Sequence, residues 1–203
     1  MAVIEVFADV ACPFAHVGLL RFVERRNELG RNDVFLRVRA WPLEIVNGQP
    51  LDPHFIAEEV DEIRGQIGAP TFARFSEDAF PVSSLPALTL AAAAYDNGVE
   101  TGEHVSLALR DLLFEQGVDI ADTEVLTRLA DGHGVQADLT DTHRVVDDHA
   151  EGVERNVIGS PHFFTPAGSF FCPSLDVHRD SDGHLRITAD SGFDQFIATC
   201  FES

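Results

Sequence analysis

One short segment constrains this chain more than any other. Residues 2–8 are β-branched, aromatic and small apolar residues, the composition of a buried strand, and they run directly into Asp9-Val10-Ala11-Cys12-Pro13. Proline lacks a backbone N–H, so Pro13 suits the first position of a helix and little else at this point. Val17, Leu20, Phe22 and Val23 then supply apolar positions up to Leu29-Gly30, where glycine is a natural stop. Residues 33–41 alternate Val34, Leu36, Val38 and Ala40 against Arg37 and Arg39, which predicts a second strand. Strand, helix and strand complete by residue 41 form a βαβ unit, and its parallel pair must be covered on both faces.

The next stretch reads as almost wholly helical. The spacing predicts helices over 54–65, 70–77, 84–97, 102–116, 123–133 and 139–156, broken by Asp96-Asn97-Gly98 and Gly117. Strands resume late. Residues 161–165 and 169–172 flank Pro166-Ala167-Gly168 and predict a hairpin. Residues 175–179 and 184–188 flank Asp180-Ser181-Asp182-Gly183 and predict a second one, before a closing helix over 192–201. The expected organisation is an α/β domain formed by 1–42 and 157–203, with 43–156 as an inserted helical subdomain. Pockets tend to form at such boundaries.

Charge removes several function classes. Asp and Glu total 34 against 14 basic residues, a formal net charge of −20, and every basic residue is Arg. The arginines are scattered, whereas a nucleic-acid surface needs them clustered. Anionic membranes are disfavoured for the same reason. A chain without Lys is consistent either with a GC-rich genome or with adaptation to high salt. The opening residues lack the basic region and long apolar run of a secretory leader, and no stretch of about 18 apolar residues occurs. Three cysteines do not suit a secreted disulfide framework. A cytoplasmic protein with reduced thiols is expected.

Two places carry candidate chemistry. Cys12 lies where the first strand ends and the first helix begins. Unpaired N–H groups and the helix dipole favour a thiolate there, so a lowered thiol pKa is expected; a small buried hydrophobe is the alternative. His16 follows four positions later, one turn along the same helix, and is the expected thiolate partner. Pro161, in Gly159-Ser160-Pro161-His162, opens the third strand, where a missing N–H is tolerated. His143 and His149 stand six apart and share no helix face well, so no metal site is expected.

The strand leading into Cys12-Pro13-Phe14-Ala15, the βαβ unit, the helical insertion and Gly159-Ser160-Pro161 before a hairpin together resemble the DsbA family of thioredoxin-fold proteins. The insertion, and the stretch Pro81-Val82-Ser83-Ser84-Leu85-Pro86-Ala87-Leu88, are similar to its FrnE-like branch. That branch is related to kappa-class glutathione transferases and 2-hydroxychromene-2-carboxylate isomerases. The resemblance implies a thioredoxin fold (βαβ…ββα), with Cys12 as the nucleophilic thiol and Pro161 as a cis-proline beside it. Ser160 would pair through its backbone with a bound thiol, and Pro13, Phe14, His16 and His162 would line the site. It implies a thiol or disulfide substrate, a low-molecular-weight thiol of glutathione or mycothiol type as a non-covalent cofactor, and an open possibility of a homodimer.

The chain departs from that pattern at one position. Redox members carry Cys-x-x-Cys, and Ala15 stands where the second cysteine would be. A dithiol cycle needs a second thiol to resolve the mixed disulfide. Three routes remain: a small thiol resolves Cys12, Cys172 does, or disulfide chemistry is lost. The hairpin places Cys172 roughly across from His162 and beside Pro161, although a strand-end cysteine packed as a hydrophobe is the favoured reading there. Cys200 is expected in the core. The leading expectation is a single-thiol disulfide oxidoreductase. A thiol-cofactor-dependent transferase or isomerase is the alternative, and a non-catalytic thioredoxin-fold binding protein a third.

Overall fold

The computed structural model describes residues 1–68 and 71–201. It opens with β1 (Ala2–Ala8), α1 (Pro13–Glu28) and β2 (Val34–Ala40). β1 and β2 pair in parallel from Ala2↔Val34 to Ala8↔Ala40. In β2 the alternate residues Val34, Leu36, Val38 and Ala40 are buried, following the sequence pattern. Pro13 occupies the first turn of α1, and Gly30 takes a left-handed φ of 65° just past its end.

The helical block comprises α2 (Leu43–Asn47), α3 (Pro53–Ile67), α4 (Leu85–Ala94), α5 (Val99–Phe114), α6 (Thr123–Gly132) and α7 (His143–Glu154). One predicted helix, 70–77, does not form. Residue 70 lies outside the described residues, and the stretch after it is turn and irregular chain. The cause is local: the Glu115 carboxylate accepts the backbone N–H groups of Phe72 and Ala73, and Phe72 has φ 65°. Those N–H groups are satisfied by a side chain instead of a helical ladder. The helix expected over 139–156 starts only at His143, because the Asp138 carboxylate binds the Thr140 N–H and hydroxyl in a turn.

β3 (His162–Thr165) and β4 (Gly168–Phe171) complete a four-stranded sheet of order β2-β1-β3-β4, with β3 antiparallel to both neighbours. β5 (Leu175–Arg179) and β6 (Leu185–Ala189) form a separate two-stranded sheet, and α8 (Phe193–Phe201) closes the chain. The second hairpin leans on the inserted helices: Gln66 on α3 donates to the Leu185 carbonyl and accepts from the Ile187 N–H.

Two cores flank the sheet. On one face Ile4, Val6, Leu36 and Phe163 pack with Leu19 and Phe22 of α1 and Phe196 and Ile197 of α8. On the other, Phe7 packs with Trp41 and Val157, and α7 crosses so closely that a Cβ on Gly152 would lie 2.6 Å from the Trp41 ring. The free edge of β2 is capped by side chains of the insertion. Leu36 N–H donates to Glu103, Val38 N–H to the Tyr95 hydroxyl at 2.7 Å, and Ala40 N–H to Asp148 at 2.9 Å. An exposed edge is thus converted into the seam that fixes the helical block on the sheet.

Candidate active site

Cys12 is the N-cap residue of α1, with extended backbone (φ −86°, ψ 117°). Its thiol is 3% exposed and donates to the Ser160 carbonyl at 3.3 Å. The Ser160–Pro161 peptide is cis. Ser160 is tied back to the first strand end, its hydroxyl accepting the Asp9 N–H at 3.0 Å. On the other side of the proline, Cys172 N–H donates to the Pro161 carbonyl at 2.9 Å. Gly18, one turn into α1, permits this approach: a Cβ there would meet the Pro161 ring at 3.3 Å. Cys12, Ser160, Pro161 and Cys172 are therefore one local assembly. Phe14, Ser160 and Cys172 border a cavity of about 330 Å³ beside it.

The segment Asp9–Cys12 is held by buried polar groups that the sequence pattern did not single out. Asp9 is fully buried. One carboxylate oxygen accepts from Ala11 N–H at 2.9 Å; the other accepts from Leu43 N–H at 2.7 Å and from the Ser84 hydroxyl at 3.1 Å. Burial still raises the Asp9 pKa against these bonds. Arg110 on α5 is 1% exposed and donates to the Asp9 carbonyl at 3.2 Å and to Ser106. Burial lowers its pKa to about 10, opposed by Asp9, Tyr95 and Cys12. The available signal was an arginine set inside the apolar stripe Val105, Leu109, Leu113.

Three expectations are corrected here. The Cys12 thiol is not acidified. Burial pushes it up to about 12; hydrogen bonding at Ser160 and the Ala15 N–H pull it down, while Glu59 and Asp9 push it further up. Desolvation outweighs the helix terminus because almost no water reaches the sulfur. His16 is engaged elsewhere: its Nε2 lies 2.7 Å from Glu115, and its ring packs against Phe72 and Phe114. Burial lowers its pKa against the pull of Glu115. Burial alone would raise Glu115, but His16 and the two backbone N–H groups hold it at about 2. His16 thus latches the helical block to α1 instead of serving the thiol.

His162 pairs across the hairpin with Phe171, not Cys172. Its ring stacks on Phe164 at 5.0 Å and its Nδ1 accepts the Ile158 N–H, while its neighbour Phe163 points into the core that holds Cys12. Strand alternation puts His162 on the opposite sheet face from the thiol. Cys172 has φ 44° and follows β4, and Cys200 packs in the core under α8. All three cysteines are free thiols. A cluster of Asp180, Asp182 and His184 sits on the β5–β6 turn, where Asp180 is already paired with Arg186.

A strand running into a cysteine-capped helix, with the carbonyl before a cis-proline against the sulfur and a helical block before the closing hairpin, defines a thioredoxin-fold protein. The chain belongs to the DSBA-like thioredoxin domain family, which matches residues 3–180. Among solved structures it is similar to the cytosolic disulfide reductase DsbM from Pseudomonas aeruginosa, at 16% identity and TM-score 0.57, over 97% of this chain and 95% of that one. It is similar to a 2-hydroxychromene-2-carboxylate isomerase at 15% identity and TM-score 0.57, over 83% and 88%. A third neighbour is a putative protein disulfide isomerase from Nitrosomonas europaea, at 16% identity and TM-score 0.58, over 98% and 95%. No curated protein matches the chain by sequence. At these identities the neighbours share the fold.

Proposed function

We propose that the protein is a single-thiol disulfide oxidoreductase acting through Cys12. The observation that carries this reading is the Cys12 sulfur held 3.3 Å from the carbonyl of Ser160, the residue that precedes the cis-proline and itself lines a cavity. In the proposed step the Cys12 sulfur attacks one sulfur of a small disulfide. A Cys12–substrate disulfide forms, the substrate S–S bond breaks, and the departing thiolate takes the Cys12 proton. With Ala15 in place of a second motif cysteine, a second small thiol attacks the mixed disulfide and releases Cys12. Cys172, bonded to the far side of Pro161, is the internal competitor for that role; it requires Cα atoms within about 7 Å. Free thiols and the cytosolic setting of DsbM suit a cytoplasmic location.

A second reading is favoured by one observation. A buried thiol whose pKa is pushed up to about 12 stays protonated at neutral pH and can donate a hydrogen bond to the sulfur of a thiol cofactor, as an isomerase or transferase would use it. Exchange between mercaptoethanol and 4,4′-dipyridyl disulfide, followed by thiopyridone release, separates the two. Catalysis that disappears in Cys12→Ser supports the oxidoreductase. Catalysis retained in Cys12→Ser overturns it. An intramolecular Cys12–Cys172 bond after one turnover would make Cys172 the resolving thiol.

A further inference from the structure

A small thiol of glutathione type, which the family resemblance implies, would have to enter the cavity that Ser160 joins to Cys12. Its apolar walls are Phe14, Leu175 and Val177, and it ends at Ser160, whose carbonyl holds the Cys12 thiol. Its charged lining consists of Asp176 and Asp190, and no Arg or His lines it among the described residues. Asp176 is exposed on β5. Asp190 is half-buried and anchored, its carboxylate accepting the Gly192 N–H and its own N–H donating to the Ser174 carbonyl at 3.1 Å. Both carboxylates act on the Cys172 thiol in the same wall.

Glutathione carries two carboxylates against a single ammonium, and its carboxylates need cationic or N–H partners. This cavity offers two carboxylates instead, whose repulsion acts at short range and is reduced by salt. The net charge of −20 adds to the same repulsion. From this mismatch we infer that the small thiol or disulfide exchanged at Cys12 carries no carboxylate, and that an ammonium group next to a short apolar arm is its best match. The apolar arm would lie along Phe14 and Val177, with the ammonium between Asp176 and Asp190. The inference rests on Cys12 being the exchanging thiol and narrows what reaches it.

The test compares three disulfides on the full chain: cystamine, bis(2-hydroxyethyl) disulfide and glutathione disulfide. The rate of mixed-disulfide formation at Cys12 is read by peptide mass mapping at low ionic strength. Cystamine should react fastest and glutathione disulfide slowest, spanning about tenfold or more, with the spread shrinking in added salt. Asp176→Asn with Asp190→Asn should cut the preference at least about threefold, because two local charges act at close range. The control pair Asp131→Asn with Asp138→Asn changes net charge equally, lies outside this cavity, and should leave the preference intact. Equal rates for all three disulfides, or an equal effect of the control pair, overturn this inference alone. Failure of every disulfide to modify Cys12 overturns the oxidoreductase reading and this inference with it.

Discussion

Glu103→Ala should cost the protein several kcal/mol although Glu103 is nowhere near the thiol. Glu103 on α5 is 2% exposed and pairs at 2.7 Å with Arg26 on α1, itself 11% exposed. The same carboxylate accepts the Leu36 N–H on the free edge of β2. Truncation leaves a largely buried guanidinium with the Val34 carbonyl but without its anion, a loss that reaches about 3–5 kcal/mol for fully buried pairs. The orphaned Leu36 N–H adds about 1–3 kcal/mol unless water reaches it. A domain of this size holds about 5–15 kcal/mol in total, so the variant should be near the edge of stability. At about 2–4 °C per kcal/mol, the ion pair alone should lower the midpoint of thermal unfolding by roughly 6–20 °C, and the orphaned N–H takes the range to roughly 8–32 °C. Urea unfolding followed by far-ultraviolet circular dichroism measures the loss directly, and Arg26→Met with Glu103→Ala closes a double-mutant cycle. The coupling should be positive and at least about 1 kcal/mol. A loss under about 1 kcal/mol for Glu103→Ala, or no coupling to Arg26, would refute the seam between the insertion and the sheet.

Other outcomes follow from the same packing. His16 and His162 are both held below their ordinary pKa by burial, so the unfolded chain binds protons first; stability should be full above about pH 6.5 and fall as pH drops through it. His16→Gln should flatten that fall, measured as urea midpoint against pH, and an unchanged slope would contradict a His16 pKa lowered by burial. Alkylation of Cys12 by iodoacetamide should still be rising with pH beyond pH 10, since burial pushes the thiol up to about 12; a plateau below pH 9 would contradict it. Cys12→Ser should leave the urea midpoint nearly unchanged, the hydroxyl keeping the Ser160 carbonyl as acceptor. Gly152→Ala drives a methyl into the Trp41 ring and should cost about 1–3 kcal/mol in urea unfolding.

The order of elements was legible because it is written in local signals. Pro13 and Gly30 bound α1, alternation marks β2, and Pro166-Ala167-Gly168 marks the β3–β4 turn. Cys12, Ser160, Pro161 and Cys172 were also readable, since each belongs to a strand end or hairpin that those signals place. What sequence periodicity missed is what long-range side chains decide. Glu115 unravels the helix expected over 70–77 and captures His16, from more than one element away. Asp9 and Arg110 look like an ordinary acid and an ordinary helix cation until the fold buries both. The thiol's acidity is hidden for the same reason: the helix terminus is visible in sequence, and the desolvation that overrides it is not.

The most direct test is where a small disulfide lands. Cys12, Cys172 and Cys200 are all buried, and burial pushes each thiol up to about 12. Acidity therefore gives none of them an advantage, and selectivity must come from position at the start of α1, against the carbonyl that precedes the cis-proline. Folded protein treated with cystamine at neutral pH and mapped by mass spectrometry should carry the adduct on Cys12, with Cys200 unmodified. An adduct confined to Cys172 or Cys200, or spread over the three in proportion to unfolding, would contradict the assignment of Cys12 as the working thiol.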